Sequence, residues 1–338
     1  VLAPDADARR AAVARYAELA VPAGALGRLA ELGVWLAAAQ GGCPPRPPAQ
    51  PRVVVFAGDH GIAAAGVSAH PPTRTLREVA AVRERTAPVA VLAPVVGASV
   101  RVVDVALDTD PPTGPAQRYR VRRGSGRIDR ADALTADEAA AAFEVGRTVA
   151  DEEVDAGADL LVPAALGVGA STPASVLVAA LTGAEPVATI GRGSGIDDAA
   201  WMRKAAAVRD ALRRAKPHQR DPLALLRVAG GADLAALAGF CLQAAARRTP
   251  VLLDGLVVGA AALVALELDG GARAWWLLAQ RSPEPAMAIV AQHLDLTPEL
   301  GLDVRLGDGS GALTAVPLLG MAARLLAETS TAAELAAP

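Results

Sequence analysis

Apolar positions along the chain follow two spacings. Leu26, Leu29, Leu32 and Gly33 recur at helical intervals, so Asp5 to Ala39 predicts two helices around "PAGALG", the second ended by Gly41 and Gly42. A Pro-rich linker, "CPPRPPAQP", leads into Val53, Val54, Val55 and Phe56, a continuous apolar run of the kind that forms a strand buried on both faces. "SVRVVDVAL", "ADLLVPA", "PVATI" and "PVLLDG" predict further strands. Between them lie helical segments. "TADEAAAAFEVGRTVADEEVDAG" carries Thr135 at the cap and Glu138 three residues on. "STPASVLVAALTG" has a Ser/Thr cap and Pro173 near its first turn. "AAWMRKAAAVRDALRRA" is helical, and "LALLRVAGGADLAALAGFCLQAAARR" reads as strand, double glycine and helix. Alternating strands and helices predict an α/β fold, a parallel sheet with helices on both faces. "DTDPPTGPAQ", 108–117, reads as a turn-rich surface loop.

Composition refines this picture. Hydrophobic residues are 52% of the chain but aromatic ones only 3%, so alanine and valine build the core, which suits close helix-to-sheet packing. Leu160 to Ala184 carries no charge and imitates a membrane span. Pro163, Gly167, Gly169 and Pro173 break it into a buried strand, a loop and a helix, and no membrane association is expected. Lys and Arg number 33 against 36 Asp and Glu, with no basic block, which disfavours nucleic acid as a partner. Cys43 and Cys241 form no framework, and a reduced, cytoplasmic setting is expected. The opening "VLAPDADARR" lacks the pattern of a signal peptide.

In open parallel sheets, ligands bind beyond the carboxyl ends of the strands. Four glycine loops read as following strand-like runs and opening helices there: "ALGVGAST" (165–172), "GRGSG" (191–195), "AGGAD" (229–233) and "LGDGSG" (306–311). Such loops let a ligand touch the backbone, and helix N-termini suit phosphate. Ser171 and Thr172 add hydroxyls, and Lys204 and Arg192 are candidate phosphate-binding cations. Together the loops predict a phosphorylated small-molecule ligand.

Asp308 differs from the other acids because glycines flank it. It is either a turn or capping aspartate or a carboxylate at the floor of a cleft that accepts a proton. His60, after Asp59 at a strand end, is a candidate cleft residue. Trp275 and Trp276 read as packing or a subunit contact. No Walker motif, dinucleotide fingerprint, HExxH or GxSxG is present, and no metal site is expected.

The segments "PAGALGRLAELGVWLAAAQG", "VVVFAGDHGIAAAGVSAHP", "GRGSGIDDAAWMRKAAAVRDAL", "VAGGADLAALAG", "PVLLDG" and "RLGDGSGALTAVPLL" resemble the nicotinate-nucleotide–dimethylbenzimidazole phosphoribosyltransferase family, in order from about Pro22 to Leu326. The resemblance implies a Rossmann-like three-layer domain over 43–320. It also implies a small helical domain built from 1–42 and 321–338, and a homodimer. The implied reaction joins the phosphoribosyl group of nicotinate mononucleotide to 5,6-dimethylbenzimidazole, giving α-ribazole 5′-phosphate and nicotinate, a step in cobalamin lower-ligand assembly, with no cofactor. Asp308 then stands as general base. Gly167, Gly169, Ser171, Thr172, Gly191, Arg192, Gly193, Lys204, Gly230 and Gly231 would hold the phosphoribosyl group. Ser68, Leu166, Leu306 and Gly307 would line the base pocket. Two other readings are transfer to a different azole or purine-like base, and a non-catalytic nucleotide-binding member.

The sequence also departs from the family pattern. Asp308 stands where glutamate is usual, and a shift of about an ångström in a catalytic group costs roughly 10²-fold. "AALGVGAST" replaces a pattern like "GEMGIGNTT", so Ala165 takes the place of an acid and Ala170 of an asparagine. "AVRERTAPVAVLA" replaces a Gly-Gly-Ala-Ala run beyond Ser68, which bears on the accepted base.

Overall fold

The computed structural model describes residues 1–110 and 114–337, so part of the loop expected at 108–117 lies outside the described residues. In chain order the helices are α1 (Ala6–Glu18), α2 (Arg28–Gln40), α3 (Arg74–Arg83), α4 (Pro88–Leu92), α5 (Ala136–Asp155), α6 (Ser171–Thr182), α7 (Asp198–Ala215), α8 (Pro222–Ala229), α9 (Ala232–Ala246), α10 (Leu256–Leu268), α11 (Pro285–Leu294), α12 (Ser310–Leu313), α13 (Val316–Glu328) and α14 (Ala332–Ala336). The strands are β1 (Pro51–Gly58), β2 (Ser99–Ala106), β3 (Leu160–Leu166), β4 (Val251–Leu253), β5 (Trp276–Gln280) and β6 (Pro298–Leu300). They form one sheet in the order β2-β1-β3-β4-β5-β6, and every pairing is parallel.

Because side chains alternate along a strand, each central strand feeds both faces of the sheet. Val54, Phe56, Leu161 and Leu253 join the apolar layer beneath α5, α6, α9 and α10. Val53, Val55, Leu160, Val162 and Leu252 join the opposite layer with Leu32 and Leu36 of α2, Val79 of α3 and Leu319 and Ala323 of α13. All seven residues of β3 are buried, which explains a run without polar alternation. Phe56 meets Phe240 edge to face at 5.5 Å between centroids, a geometry worth about 1 kcal/mol beyond area burial.

Small residues set the tightest contact. A Cβ at Gly146 of α5 would overlap the Ala236 carbonyl of α9, and one at Gly239 would overlap the Phe143 carbonyl. The expected capping box at Thr135 and Glu138 is present and starts α5. At the chain ends, Ala12 of α1, Ala37 of α2 and Leu326 of α13 pack together. The stretch Ser310–Glu328 is long and apolar enough to cross a membrane, yet 56% of it is buried within the protein, as in a core helix.

Two predicted strands are helical. "PVATI" contains a 3₁₀ turn over Pro186–Thr189, with Val187 61% exposed, so it has no sheet neighbour to bury it. "LALLRVA" belongs to α8. Asp221 caps it by accepting from Ala224 N–H at 3.0 Å, and Pro222 occupies the first turn. Two strands carry no prediction: β5, whose Trp276 reads as packing or a subunit contact, and the three-residue β6. Both tryptophans are in fact packed, each 1% exposed.

Candidate active site

The carboxyl ends of β3, β4 and β5 open on one side of the sheet. A cavity of about 360 Å³ lies there, walled by segments around Ser68, by 165–171, by 192–194 with Lys204, by 255–257, by Ser282 and Glu284, and by 305–307. A larger recess of about 680 Å³ lies between α2 and β5, near Trp35 and Trp276, and holds none of the glycine loops.

Only the first of the four glycine loops follows a strand. Leu166 ends β3, Gly167 turns away, and Ser171 opens α6. The 191–195 loop follows the 3₁₀ turn and precedes α7, whose cap is Asp197, accepting from Ala200 N–H at 2.7 Å. The 229–233 loop joins two helices, α8 and α9. The 306–311 loop follows an irregular stretch after β6 and opens the short α12. Folding nevertheless brings three of the four to the same cavity.

Ser68, Leu166, Gly167, Gly169, Ser171, Arg192, Gly193, Lys204, Leu306 and Gly307 all line it. Lys204 is 1% exposed and donates to Ser171 Oγ at 3.0 Å and to the Gly191 carbonyl at 3.2 Å. Burial lowers its ammonium to about 8, against the raising effect of nearby Glu284. Arg192 donates to Asp198 at 2.5 Å and to the Ile196 carbonyl at 2.8 Å, and stays half exposed at the rim. Ser68 Oγ lies 3.2 Å from Ser194 Oγ, which also accepts from Ala69 N–H at 2.9 Å, so two walls of the cavity are tied together.

The other expected residues stand elsewhere. Thr172 is fully buried in α6, and its hydroxyl has no protein partner. Gly191 lies behind the wall, and a Cβ there would overlap Glu284. Gly230 and Gly231 are outside the cavity, Gly230 against Leu226 and Gly231 beside His60 and Ser125. His60 is likewise not a wall residue. Its Nε2 lies 3.0 Å from Asp233 Oδ2, both side chains being buried. Burial disfavours the imidazolium, but the charge and hydrogen bond of Asp233, with Asp59 behind, raise its pKa above the usual value.

Asp308 is 6% exposed, beside the wall residue Gly307, and its Oδ1 accepts from Ser310 N–H at 2.9 Å. It is therefore both a buried turn aspartate and next to the cavity. Gly309, at φ +94° and against Val53 and Ala164, lets the loop press onto the sheet.

Several wall residues carry no prediction. Glu284 is 8% exposed. Its Oε1 accepts from Gly193 N–H at 3.1 Å, and its Oε2 is buried without a partner. Arg74 and Glu78 pair at 2.7 Å, and His70 and Arg305 also line the cavity. The signal for Glu284 was the polar turn "RSPEP" directly after an apolar run. Reading that run as β5 places the turn at a strand's carboxyl end.

A parallel sheet whose strand tips frame glycine loops and a buried lysine defines a phosphate-handling α/β enzyme. A family model described as phosphoribosyltransferase matches residues 1–336. A nicotinate-nucleotide–dimethylbenzimidazole phosphoribosyltransferase of Mycobacterium avium (strain 104) is 57% identical over 331 residues, covering 98% of this chain and 95% of that one. The protein so named in Mycobacterium tuberculosis (strain ATCC 25618 / H37Rv) is 55% identical over 334 residues, covering 99% and 92%. The crystal structure of the enzyme of that name from Thermus thermophilus superposes with a TM-score of 0.92 at 36% identity, covering 98% of each chain. The chain belongs to the nicotinate-nucleotide–dimethylbenzimidazole phosphoribosyltransferase family, and it is an enzyme of the phosphoribosyl-transfer class.

Proposed function

We propose that the chain transfers the phosphoribosyl group of nicotinate mononucleotide to 5,6-dimethylbenzimidazole, releasing nicotinate and α-ribazole 5′-phosphate. The observation that carries this reading is the single cavity in which the glycine loop of β3, Lys204 and the 305–307 segment meet, in a chain 57% identical to an enzyme of that name.

The bond between C1′ and the pyridinium nitrogen breaks, and its electron pair leaves with nicotinate. A benzimidazole nitrogen supplies the pair that forms the new bond to C1′, from the opposite face. As it does so, the other nitrogen loses its proton to the Asp308 carboxylate. A positioned base contributes roughly 10²–10⁴-fold. Gly167, Gly169, Ser171, Arg192, Gly193 and Lys204 hold the phosphoribosyl group, and that remote binding orients the sugar. Thr172 and Gly191 act from behind, through the segments they belong to, whereas Gly230 and Gly231 stand away from the cavity and take no part. Ser68, Leu166, Leu306 and Gly307 form the base pocket.

The enzyme works as a cytoplasmic homodimer without a membrane partner, residues 1–42 and 321–338 forming a small domain beside 43–320. The unpaired thiols Cys43 and Cys241 suit a reducing compartment. Val91 and Val95, 56% and 78% exposed, suit a subunit contact. The reading is tested by incubating the protein with nicotinate mononucleotide and a panel of bases. Release of nicotinate with dimethylbenzimidazole, lost in Asp308→Asn while mononucleotide binding persists, is the expected result. Turnover only with other bases, or none, overturns it.

A further inference from the structure

Gln280 and Asp254 are buried polar side chains that do not line the cavity, and a glutamine at 0% exposure is costly unless every polar atom is paired. Here each is. Gln280, the last residue of β5, accepts from Val304 N–H at 3.1 Å and donates to the Val304 carbonyl at 2.6 Å, as a neighbouring strand would. Its amide also donates to Asp254 Oδ1 at 2.9 Å. Asp254, just past β4 and 1% exposed, uses Oδ2 to accept from Ala312 N–H at 3.2 Å.

The two anchor points are four residues before and four residues after Asp308. One carboxamide–carboxylate pair, carried by the tips of adjacent strands, thus grips both arms of the loop that carries that acid. A third tie, from Ala165 N–H to the Gly307 carbonyl at 3.1 Å, fixes the apex to β3. Burial raises the Asp254 carboxyl above its ordinary value, against the lowering effect of the Gln280 amide, and the charge of Asp308 adds to the rise, so the clamp and the acid are close enough to feel one another.

We infer that Gln280, acting with Asp254, is a positioning residue for proton removal: the pair sets where the Asp308 carboxylate stands without touching substrate. This rests on the reading of Asp308 as the general base. A purely structural pair would cost stability yet leave the folded enzyme's turnover intact. A positioning pair lowers kcat and spares substrate binding, because displacement of a catalytic group by about an ångström costs roughly 10²-fold.

The test is a double-mutant cycle in the full-length enzyme, after circular dichroism and thermal unfolding show that each variant is folded. Gln280→Leu is expected to lower kcat about 10²-fold with the KM for nicotinate mononucleotide unchanged within twofold. In an Asp308→Asn background, assayed at raised enzyme concentration, adding Gln280→Leu is expected to change kcat less than twofold, because the group it positions is gone. Should Gln280→Leu not fold, Asp254→Asn serves with the same thresholds, since one asparagine oxygen accepts from Gln280 or from Ala312 but its amide nitrogen from neither. A folded variant with wild-type kcat, or an equal loss in both backgrounds, overturns the inference. Wild-type turnover by Asp308→Asn alone overturns the base assignment instead, and is seen separately.

Discussion

Glu284 Oε1 accepts the backbone N–H of Gly193 at 3.1 Å, joining the turn after β5 to the glycine loop before α7. Its other oxygen is buried without a partner against Gly191, so the carboxylate braces the loop that carries Gly193 from behind. Hydrogen bonds to charged groups contribute about 1.5–3 kcal/mol, so Glu284→Ala, which frees the Gly193 loop, is expected to raise the KM for nicotinate mononucleotide at least about tenfold with kcat held within threefold. Steady-state kinetics decide it: an unchanged KM would show that the loop keeps its place without the carboxylate.

Lys204 gives a pH dependence. Burial lowers its ammonium to about 8 from an ordinary value of 10.5. The folded chain therefore binds fewer protons than the unfolded chain between about pH 8 and 10.5, and this group's contribution to stability rises with pH across that window. Ligand binding runs the other way, because a phosphate dianion favours the charged lysine. The KM for the mononucleotide is expected to be flat between about pH 6.5 and 7.5, where the phosphate is a dianion, and to climb about tenfold per unit above pH 8. Lys204→Met should flatten that climb, and a climb that persists in this variant assigns it to another group.

Asp308 now bonds to its own loop through Ser310 N–H and sits beside the cavity wall. One added methylene extends the reach of the carboxylate by about 1.5 Å. Asp308→Glu is expected to raise kcat, by up to about 10²-fold. A fall in kcat would show that the loop is built around the shorter acid.

The His60–Asp233 pair predicts a stability effect. His60→Gln leaves a buried aspartate without its charged partner, and breaking such a pair costs about 3–5 kcal/mol. Because the folded-state pKa of His60 is raised, its contribution is fully present below pH 6.5 and is lost as pH rises through the folded value. Denaturant midpoints of wild type and variant should differ most in mildly acidic buffer. A gap that widens toward alkaline pH would contradict the charged-pair assignment.

Much of the sheet was legible because β1 and β3 are long apolar runs whose burial leaves no alternation to misread, and β2 is rich in valine. Strand β6 was not, since three half-buried residues with a proline and a glutamate carry too little pattern. In "DPLALLRVA" the apolar run outweighed the stronger evidence of an aspartate cap followed by proline, which starts a helix. The site divides in the same way. Glycine loops and Asp308 stand out by local composition. Glu284 and Gln280 matter through what the fold brings beside them, Gly193 in one case and Val304 in the other, and no local spacing encodes those meetings. Gly230 and Gly231 show the converse, a motif that looks like a ligand loop but packs against Leu226 on one side and His60 and Ser125 on the other.

Much of the cavity wall is carried by loops just past the ends of β3, β4 and β5, while the central strands β1 and β3 keep their register in a buried layer. Innovation at one tip thus leaves the scaffold untouched. A laboratory chimera that exchanges only the 66–78 segment and the 305–307 loop, the proposed base pocket, should inherit a donor's preference for the heterocycle on an unchanged chassis.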